Sequence, residues 1–132
     1  MTDRLKITKT EGNVTILHFE GDLDAQTEKF ATEYLQSIKD EGGRYILIDL
    51  AKVEMIASAG LRALHTIYKM FTPADEIQTW KNQNPGDVYK SPYFKLAQPS
   101  PQVHYVLSIA GFLQGIYIFP TLSEAIDSFS VK

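Results

Sequence analysis

Residues 45–61 read YILIDLAKVEMIASAGL, and this stretch decides the fold. Its first six residues, Tyr45–Leu50, are almost continuously apolar, which predicts a strand buried on both faces in the centre of a sheet. The following segment, Leu61–Phe71, repeats apolar residues at spacings of three and four and is typical of an amphipathic helix. A buried strand that leads directly into such a helix predicts an α/β architecture.

Two strands and a helix are predicted upstream of this stretch. Leu5–Thr10 and Val14–Phe19 flank a Glu-Gly-Asn turn, which indicates a β-hairpin. Residues 21–24 (GDLD) interrupt the strand pattern, and Ala25–Asp40 then has the periodicity of a helix. Asp24 is predicted to cap that helix, because its carboxylate can accept a hydrogen bond from a free backbone N–H. The inward face of this helix is predicted to hold Phe30, Tyr34, Leu35 and Ile38.

The downstream half alternates strands and helices after an interruption. Thr72–Pro92 holds three prolines, many polar residues and little periodicity, so we expect an irregular insertion with room for one helical turn near 74–80. Strands are then predicted at Tyr93–Ala97 and Ile116–Phe119. Pro101 begins the helix between them, since proline is favoured at the first helical position. A last helix follows at the C-terminal end.

These elements predict an α/β fold with a mixed central sheet of about five strands and about four helices packed against it. The chain has 132 residues, which is the size of one typical domain, so we expect a single domain over residues 1–132.

Composition excludes several classes of function. There are no cysteines, which excludes disulfides and thiolate zinc sites. The histidines His18, His65 and His104 lack metal-ligand spacing, and no glycine-rich nucleotide motif is present, so no metal or cofactor is expected. The net charge of -3 without a basic cluster argues against nucleic acid as a ligand. No apolar run is long enough to span a membrane and no signal peptide is visible, so we expect a cytoplasmic protein.

Ser58 is the polar side chain that the sequence places most suggestively, at or just before a helix N-terminus. Its hydroxyl can simply cap the helix, a common use of serine. The same position also suits a phosphate, because the first backbone N–H groups are free and the helix dipole favours negative charge. Both interpretations remain open from the residues alone. Asp24 carries the same choice between helix cap and functional acid.

Three stretches together resemble the STAS domain family, whose members include the bacterial anti-sigma factor antagonists. The first is residues 19–24 (FEGDLD), and the second is residues 45–50 with 53–61. The third runs from residues 100–103 (SPQV) through Gly111-Phe112 to residues 116–119 (IYIF). The resemblance covers most of the chain outside residues 72–92.

The resemblance implies a regulatory protein that is not an enzyme and that binds an anti-sigma factor or a related GHKL-type kinase. The switch motif of the family resembles Asp-Ser-Ser/Thr-Gly-Leu, which places its phosphorylated serine at Ser58. Ala57 stands where the family has an aspartate, and Ala59 stands where it has the second hydroxyl residue. The partner-binding residues implied are Asp22, Asp24, Ala57, Ser58, Ala59, Gly60 and Leu61. At Gly60, the missing side chain is expected to let the backbone of a partner come close.

Two alternative functions follow from the same residues. A divergent STAS module without phosphorylation could dock constitutively, or could sense a small ligand between the insertion and the sheet. A small serine-dependent hydrolase using Ser58 is the remote alternative, since residues 56–60 keep only the second glycine of a nucleophile elbow. The aromatic residues in and beside the insertion either form a partner surface or cover apolar surface of the domain. These are Trp80, Tyr89, Tyr93 and Phe94.

Overall fold

A computed structural model of the protein describes residues 4–129. Its strands and helices alternate after an opening hairpin. The strands are β1 (Leu5–Thr10), β2 (Thr15–Leu23), β3 (Ile46–Ile56), β4 (Phe94–Ala97) and β5 (Ile118–Phe119). The helices are α1 (Glu28–Asp40), α2 (Ser58–Phe71), α3 (Ala74–Gln83), α4 (Pro101–Ile109), α5 (Phe112–Gly115) and α6 (Leu122–Ser128).

The five strands form one mixed sheet in the order β1-β2-β3-β4-β5. β1 pairs with β2 in antiparallel orientation, as expected of a hairpin, and the other neighbours are parallel. The predicted mixed five-stranded sheet with packed helices is thereby confirmed. The helices number six over residues 4–129 rather than about four, because α3 and the short α5 were not expected as separate elements.

Alternate residues of the central strands enter two different hydrophobic clusters. The larger cluster joins Ile46, Ile48 and Leu50 to apolar residues of α1, α2 and α4. The smaller cluster joins Leu47 to residues that include Phe129, at the end of α6. Because successive side chains of a strand point to opposite faces, the sheet is covered by helices on both sides. This arrangement explains why residues 45–50 are nearly all apolar.

The interruption predicted at residues 21–24 is wrong, because β2 continues to Leu23. The pairing of β2 with β3 shifts register on either side of Glu20-Gly21, so the strand passes through an irregularity without ending. Gly21 has a φ of +123° there, and a Cβ on it would lie 2.1 Å from the Arg4 carbonyl oxygen. Glycine therefore extends the strand here by allowing a conformation and an approach that other residues resist.

The segment at residues 72–92 is more regular than predicted. It contains α3, a ten-residue helix, where we expected an irregular stretch with at most one turn. No residue of α3 is buried, so the sequence has no strong apolar stripe to mark it. After α3, Tyr89 and Ser91 are buried and attach the rest of the segment to the domain.

Candidate functional site

The candidate site lies where β2 and β3 end side by side. Leu23 pairs with Ile56 at the ends of the two parallel strands, and the Ala57 N–H donates a 2.9 Å hydrogen bond to the Leu23 carbonyl. The loop after β2 carries Asp24, and the loop after β3 leads into α2 at Ser58. Because β2 and β3 are parallel, Asp24 and Ser58 both follow the carboxyl ends of neighbouring strands and lie on the same side of the sheet.

Ser58 is the first helical residue of α2 and not its N-cap. The N-cap is Ala57, whose extended backbone (φ −92°, ψ 177°) suits a capping residue but whose methyl group cannot accept a hydrogen bond. The interpretation of Ser58 as a cap is therefore wrong. The Ser58 side chain is exposed, and no hydrogen bond from its hydroxyl is found to any residue between 4 and 129. Among the described residues, this hydroxyl therefore has no partner, and it lies beside a helix N-terminus that lacks a side-chain cap.

The space beside Gly60 is filled by the backbone of Leu23. A Cβ on Gly60 would lie 2.3 Å from the Leu23 carbonyl oxygen, so this glycine lets α2 begin directly against the end of β2. The expected approach of a partner's backbone at Gly60 therefore needs correction, since Leu23 already takes that space. Ala59 is buried as well, and Leu61 is half-buried against the core. These residues shape the start of α2, while Ser58 faces solvent.

Asp24 organises the entry to α1 and is held by Arg4. One carboxylate oxygen, Oδ1, accepts hydrogen bonds from the Gln26 and Thr27 N–H groups at 2.9 and 3.2 Å. The prediction that Asp24 caps a helix beginning at Ala25 is wrong, because α1 begins at Glu28 and its N-cap is Thr27. Asp24 instead holds the turn that precedes the helix. The other oxygen, Oδ2, lies 2.6 Å from Arg4 Nη2.

Arg4 also reaches Asp22, whose Oδ2 lies 3.3 Å from the same nitrogen. Burial raises the pKa of Asp24, but the hydrogen bonds from Arg4 and the backbone outweigh burial and hold that pKa below its ordinary value. The sequence pattern did not indicate Arg4, which lies 20 residues before Asp24 in the chain. The hairpin register, which pairs Leu5 with Gly21, is the signal that could have found it.

A bidentate ion pair joins the beginnings of α1 and α2. Arg62 donates from Nε and Nη2 to the two carboxylate oxygens of Glu28, at 2.7 and 2.8 Å. These hydrogen bonds lower the pKa of Glu28. Arg62 lies four residues after Ser58, so the two side chains share one face of α2. The Arg62 side chain is 64% exposed.

Two exposed apolar side chains, Met55 and Phe30, lie within three residues of Ser58 and Glu28 in the sequence. Met55 precedes the end of β3 and pairs with Asp22 across the strands, and it is 39% exposed. Phe30 lies on the first turn of α1 and is 45% exposed, which corrects its predicted inward position. The buried face of α1 consists of Ala31, Leu35 and Ile38.

His18 belongs to a separate polar network on the sheet. Its Nδ1 lies 2.8 Å from Asp49 Oδ2, and its Nε2 lies 2.9 Å from Thr10 Oγ1. The second Asp49 oxygen accepts from the Ala51 N–H and from Gln98, each at 3.0 Å. Burial raises the pKa of Asp49, but these hydrogen bonds outweigh burial and hold that pKa below its ordinary value. The network gives a nearly buried carboxylate its partners.

The hydrolase alternative gains no support at Ser58. A Ser58 hydrolase needs a base that contacts the hydroxyl, and no such contact is found over the residues described. No cluster of potential metal ligands occurs within residues 4–129. None of the helices in the same span is long and apolar enough to cross a membrane.

Comparison with known proteins agrees with this geometry. The family model for the STAS domain matches residues 6–75. No curated protein gives a significant match. Among solved structures, an anti-sigma factor antagonist from Mycobacterium paratuberculosis aligns with a TM-score of 0.73 and 17% identity, covering 96% of this chain and 94% of that one.

Two further structures share the fold. The anti-sigma-factor antagonist (STAS) domain protein of Planctomyces limnophilus has a TM-score of 0.68 and 23% identity, with 94% and 97% of the two chains covered. The Bacillus cell fate determinant SpoIIAA in its phosphorylated form has a TM-score of 0.59 and 15% identity, with 93% and 96% covered. The match to the family model over residues 6–75 and the order of the mixed sheet lead to one conclusion: this chain belongs to the STAS domain family.

Proposed function

We propose that this STAS chain is an antagonist-like regulator in the bacterial cytoplasm, binding an anti-sigma factor or a related GHKL-type kinase at the joined ends of β2 and β3. Phosphorylation of Ser58 releases the partner. The observation that carries the proposal is the exposed hydroxyl of Ser58 on the first turn of α2, with no hydrogen bond found to residues 4–129. Bacterial anti-sigma factor antagonists of the same fold support the choice of partner.

A phosphate at Ser58 is compatible with the fold. The side chain is exposed, so the added group needs no rearrangement of the core. The free N–H groups at the start of α2 and the helix dipole favour an anion there. The phosphate adds about -1.5 to -2 charges. A partner seated over this end of the helix would lose affinity through desolvation and through repulsion of its own acidic groups.

Arg62 gives the phosphate a local ligand. Because Arg62 lies four residues after Ser58 and is largely exposed, its guanidinium can turn from Glu28 towards a phosphate on the preceding turn. That exchange would free the Glu28 carboxylate and change the charge presented by α1 and α2 together. Phosphorylation would therefore change the charge at the start of α2, near Ser58, and also at the start of α1, near Glu28.

Met55 and Phe30 supply apolar contact area for this surface. Each is more than one-third exposed, although most apolar residues of β3 and α1 are buried. Exposed apolar side chains among polar ones are common at the centre of protein interfaces. We expect truncation of either residue to weaken partner binding without unfolding the domain.

The experiment begins with capture of partners on the wild-type protein and mass spectrometry of the bound proteins and of Ser58. The affinity of the captured regulator is then measured by calorimetry for Ser58→Ala, Ser58→Glu and Ser123→Glu. Ser123 is the matched control, because it is an exposed serine in the first turn of α6. We expect Ser58→Glu alone to lose binding while all three variants stay folded. Equal affinity of Ser58→Glu and Ser58→Ala would overturn the switch.

Constitutive docking is the second candidate, and Ala57 favours it. The residue before Ser58 lacks the carboxylate that the family motif carries, so a kinase that reads the carboxylate would act poorly on this chain. Recovery of a regulator together with Ser58 wholly unmodified under all growth conditions would select this candidate. If Ala57→Asp then made Ser58 a substrate of the captured kinase, the missing carboxylate would be identified as the cause.

A further inference from the structure

A buried lysine lines a cavity beside the segment at residues 72–92. The cavity measures about 540 Å³, within the usual size range of small-molecule sites. Residues from α3 and the following segment line one part of it, and residues of β4 and the stretch leading through β5 line another. Its aromatic lining consists of Trp80, Tyr89, Tyr117 and Phe119, and we refer to it as the aromatic cavity.

Lys95 is the unusual group of this lining. It is only 4% exposed, and its Nζ donates hydrogen bonds to the carbonyl and hydroxyl oxygens of Ser128, at 3.1 and 3.0 Å. The ammonium also lies 4.9 Å from the ring centre of Tyr117 and 4.5 Å from that of Phe129. No carboxylate pairs with it over residues 4–129. A nearly buried cation thus has only neutral partners there, although buried charges are normally paired.

The other charges of the aromatic cavity leave it suited to an anion. Lys90 adds a second ammonium, 5.2 Å from the ring centre of Tyr117. The acidic lining residue Glu76 accepts a hydrogen bond from the Tyr93 hydroxyl, so its carboxylate already has a donor. Burial lowers the pKa of Lys95, and a bound anion would favour the charged form of this ammonium.

We propose that the aromatic cavity binds a small organic acid with a flat apolar body, whose carboxylate pairs with Lys95 and Lys90. The four aromatic side chains provide the apolar and stacking contact for the body of the ligand. Lys95 keeps one donor for the carboxylate, because an ammonium has three and Ser128 accepts two. This site is independent of Ser58, so the proposal holds whether or not the partner switch does.

Trp80 is the single tryptophan of the chain and reports directly on the aromatic cavity. The test titrates the whole 132-residue chain with benzoate, phenylacetate and 3-phenylpropionate, and with the primary amide of each acid. Trp80 fluorescence and two-dimensional NMR of the backbone amides follow binding. We expect at least one acid to saturate with shifts at Tyr117 and Phe119. Its amide should bind about 10-fold more weakly or worse, since a hydrogen bond to a charged group is lost.

Three lysine variants complete the test. Lys95→Met and Lys90→Met should each weaken binding of the acid, and Lys95→Met should do so by about 10-fold or more. Lys69→Met, on the exposed face of α2, should bind the acid as the wild type does. Thermal unfolding checks that each variant is folded. If Lys95→Met fails to fold, Lys90→Met and the comparison of acid with amide still decide. Equal binding of acids and amides, or no saturable change with any acid, would overturn the proposal.

Discussion

Gly60 lies so close to Leu23 that a Cβ on Gly60 would stand 2.3 Å from the Leu23 carbonyl oxygen. The same carbonyl accepts the hydrogen bond from the Ala57 N–H that joins the end of β2 to the start of α2. This contact fixes where α2 begins and therefore where Ser58 is displayed. The glycine of the family motif is explained here by packing within the domain.

The first prediction is that Gly60→Ala destabilises the fold by about 1–3 kcal/mol, the usual cost of forcing extra atoms into a packed site. Helix propensity alone would favour alanine by about 1 kcal/mol, so a net loss identifies the clash. Urea unfolding measures the change. Gly115→Ala is the matched control, because no atom lies within 4 Å of a Cβ built there. A Gly60→Ala variant as stable as wild type would refute the packing explanation.

The second prediction is that Ala57→Asp stabilises the domain. The backbone at Ala57 already has capping geometry, so an aspartate can accept from a free N–H of the first turn of α2. We expect a gain of about 1 kcal/mol in the free energy of unfolding. Ala57→Asn should gain a similar amount, since asparagine caps without the full charge. A loss in both variants would show that the side chain is directed away from the helix.

The third prediction concerns Arg4 and the ionisation of Asp24. Removal of the guanidinium in Arg4→Met should raise the pKa of Asp24, because the side-chain hydrogen bond that lowers this pKa is lost. NMR titration of the Asp24 carboxyl carbon measures the shift. Arg44→Met serves as the control, since Arg44 contacts Tyr93 and not Asp24. An unchanged titration in Arg4→Met would mean that the backbone N–H groups alone hold the carboxylate ionised.

The fourth prediction is a pH dependence of stability that arises from Asp49. Its folded-state pKa lies below the unfolded value of about 3.9, so its contribution is present above that pH and is lost as pH falls through the folded value. The free energy of unfolding should therefore fall more steeply between about pH 5 and pH 3 in the wild type than in Asp49→Asn. Denaturant unfolding at each pH tests this. Asp87→Asn, at an exposed position, should keep the wild-type slope.

The fifth prediction concerns the Tyr89 hydroxyl, which is buried and has no hydrogen-bond partner in the part of the chain that the structure describes. Burial, together with the nearby Glu76 carboxylate, raises the pKa of Tyr89 to about 12. Tyr89→Phe should raise the free energy of unfolding by about 1 kcal/mol, because it removes an unsatisfied polar group. Tyr93→Phe is the contrast, since the Tyr93 hydroxyl donates to Glu76 and accepts from Arg44, and the loss of both hydrogen bonds should be destabilising. Destabilisation by Tyr89→Phe would indicate that the hydroxyl is satisfied after all.

Features that depend on hydrophobic pattern could be predicted from the sequence. The nearly continuous apolar run at 45–50 marked the central strand, and the stripe after Ser58 marked α2. The alternation of elements gave the mixed sheet. α3 escaped because none of its residues is buried, so its helical periodicity leaves no apolar signal. Gly21 and the residues after it predict the end of a strand, and only the folded hairpin shows that Gly21 continues β2 with a positive φ close to the Arg4 carbonyl.

The sequence could predict where the candidate residues lie in the fold, but not the contacts that they make. The motif predicts a helix start at Ser58. A shift of the helix start by one residue decides whether Ser58 or Ala57 is the cap, and the sequence does not fix the start that closely. The ion pairs of Arg4 and Arg62 join residues far apart in sequence, and they follow from the register of the hairpin and the packing of α1 against α2. Long-range charge pairing of this kind leaves no periodic trace in one sequence.

The strand β1, which begins directly after Arg4, also affects how the molecule meets its own copies. β1 forms one edge of the sheet, and it pairs only with β2 among the strands of residues 4–129. An open edge can add a strand from another molecule, which is a route to aggregation. Lys6 and Lys9 are exposed along β1, and lysines on an edge strand make such an addition unfavourable. The hairpin whose Arg4 pairs with Asp22 and Asp24 thus also carries, along β1, lysines that disfavour edge-to-edge association with its own copies.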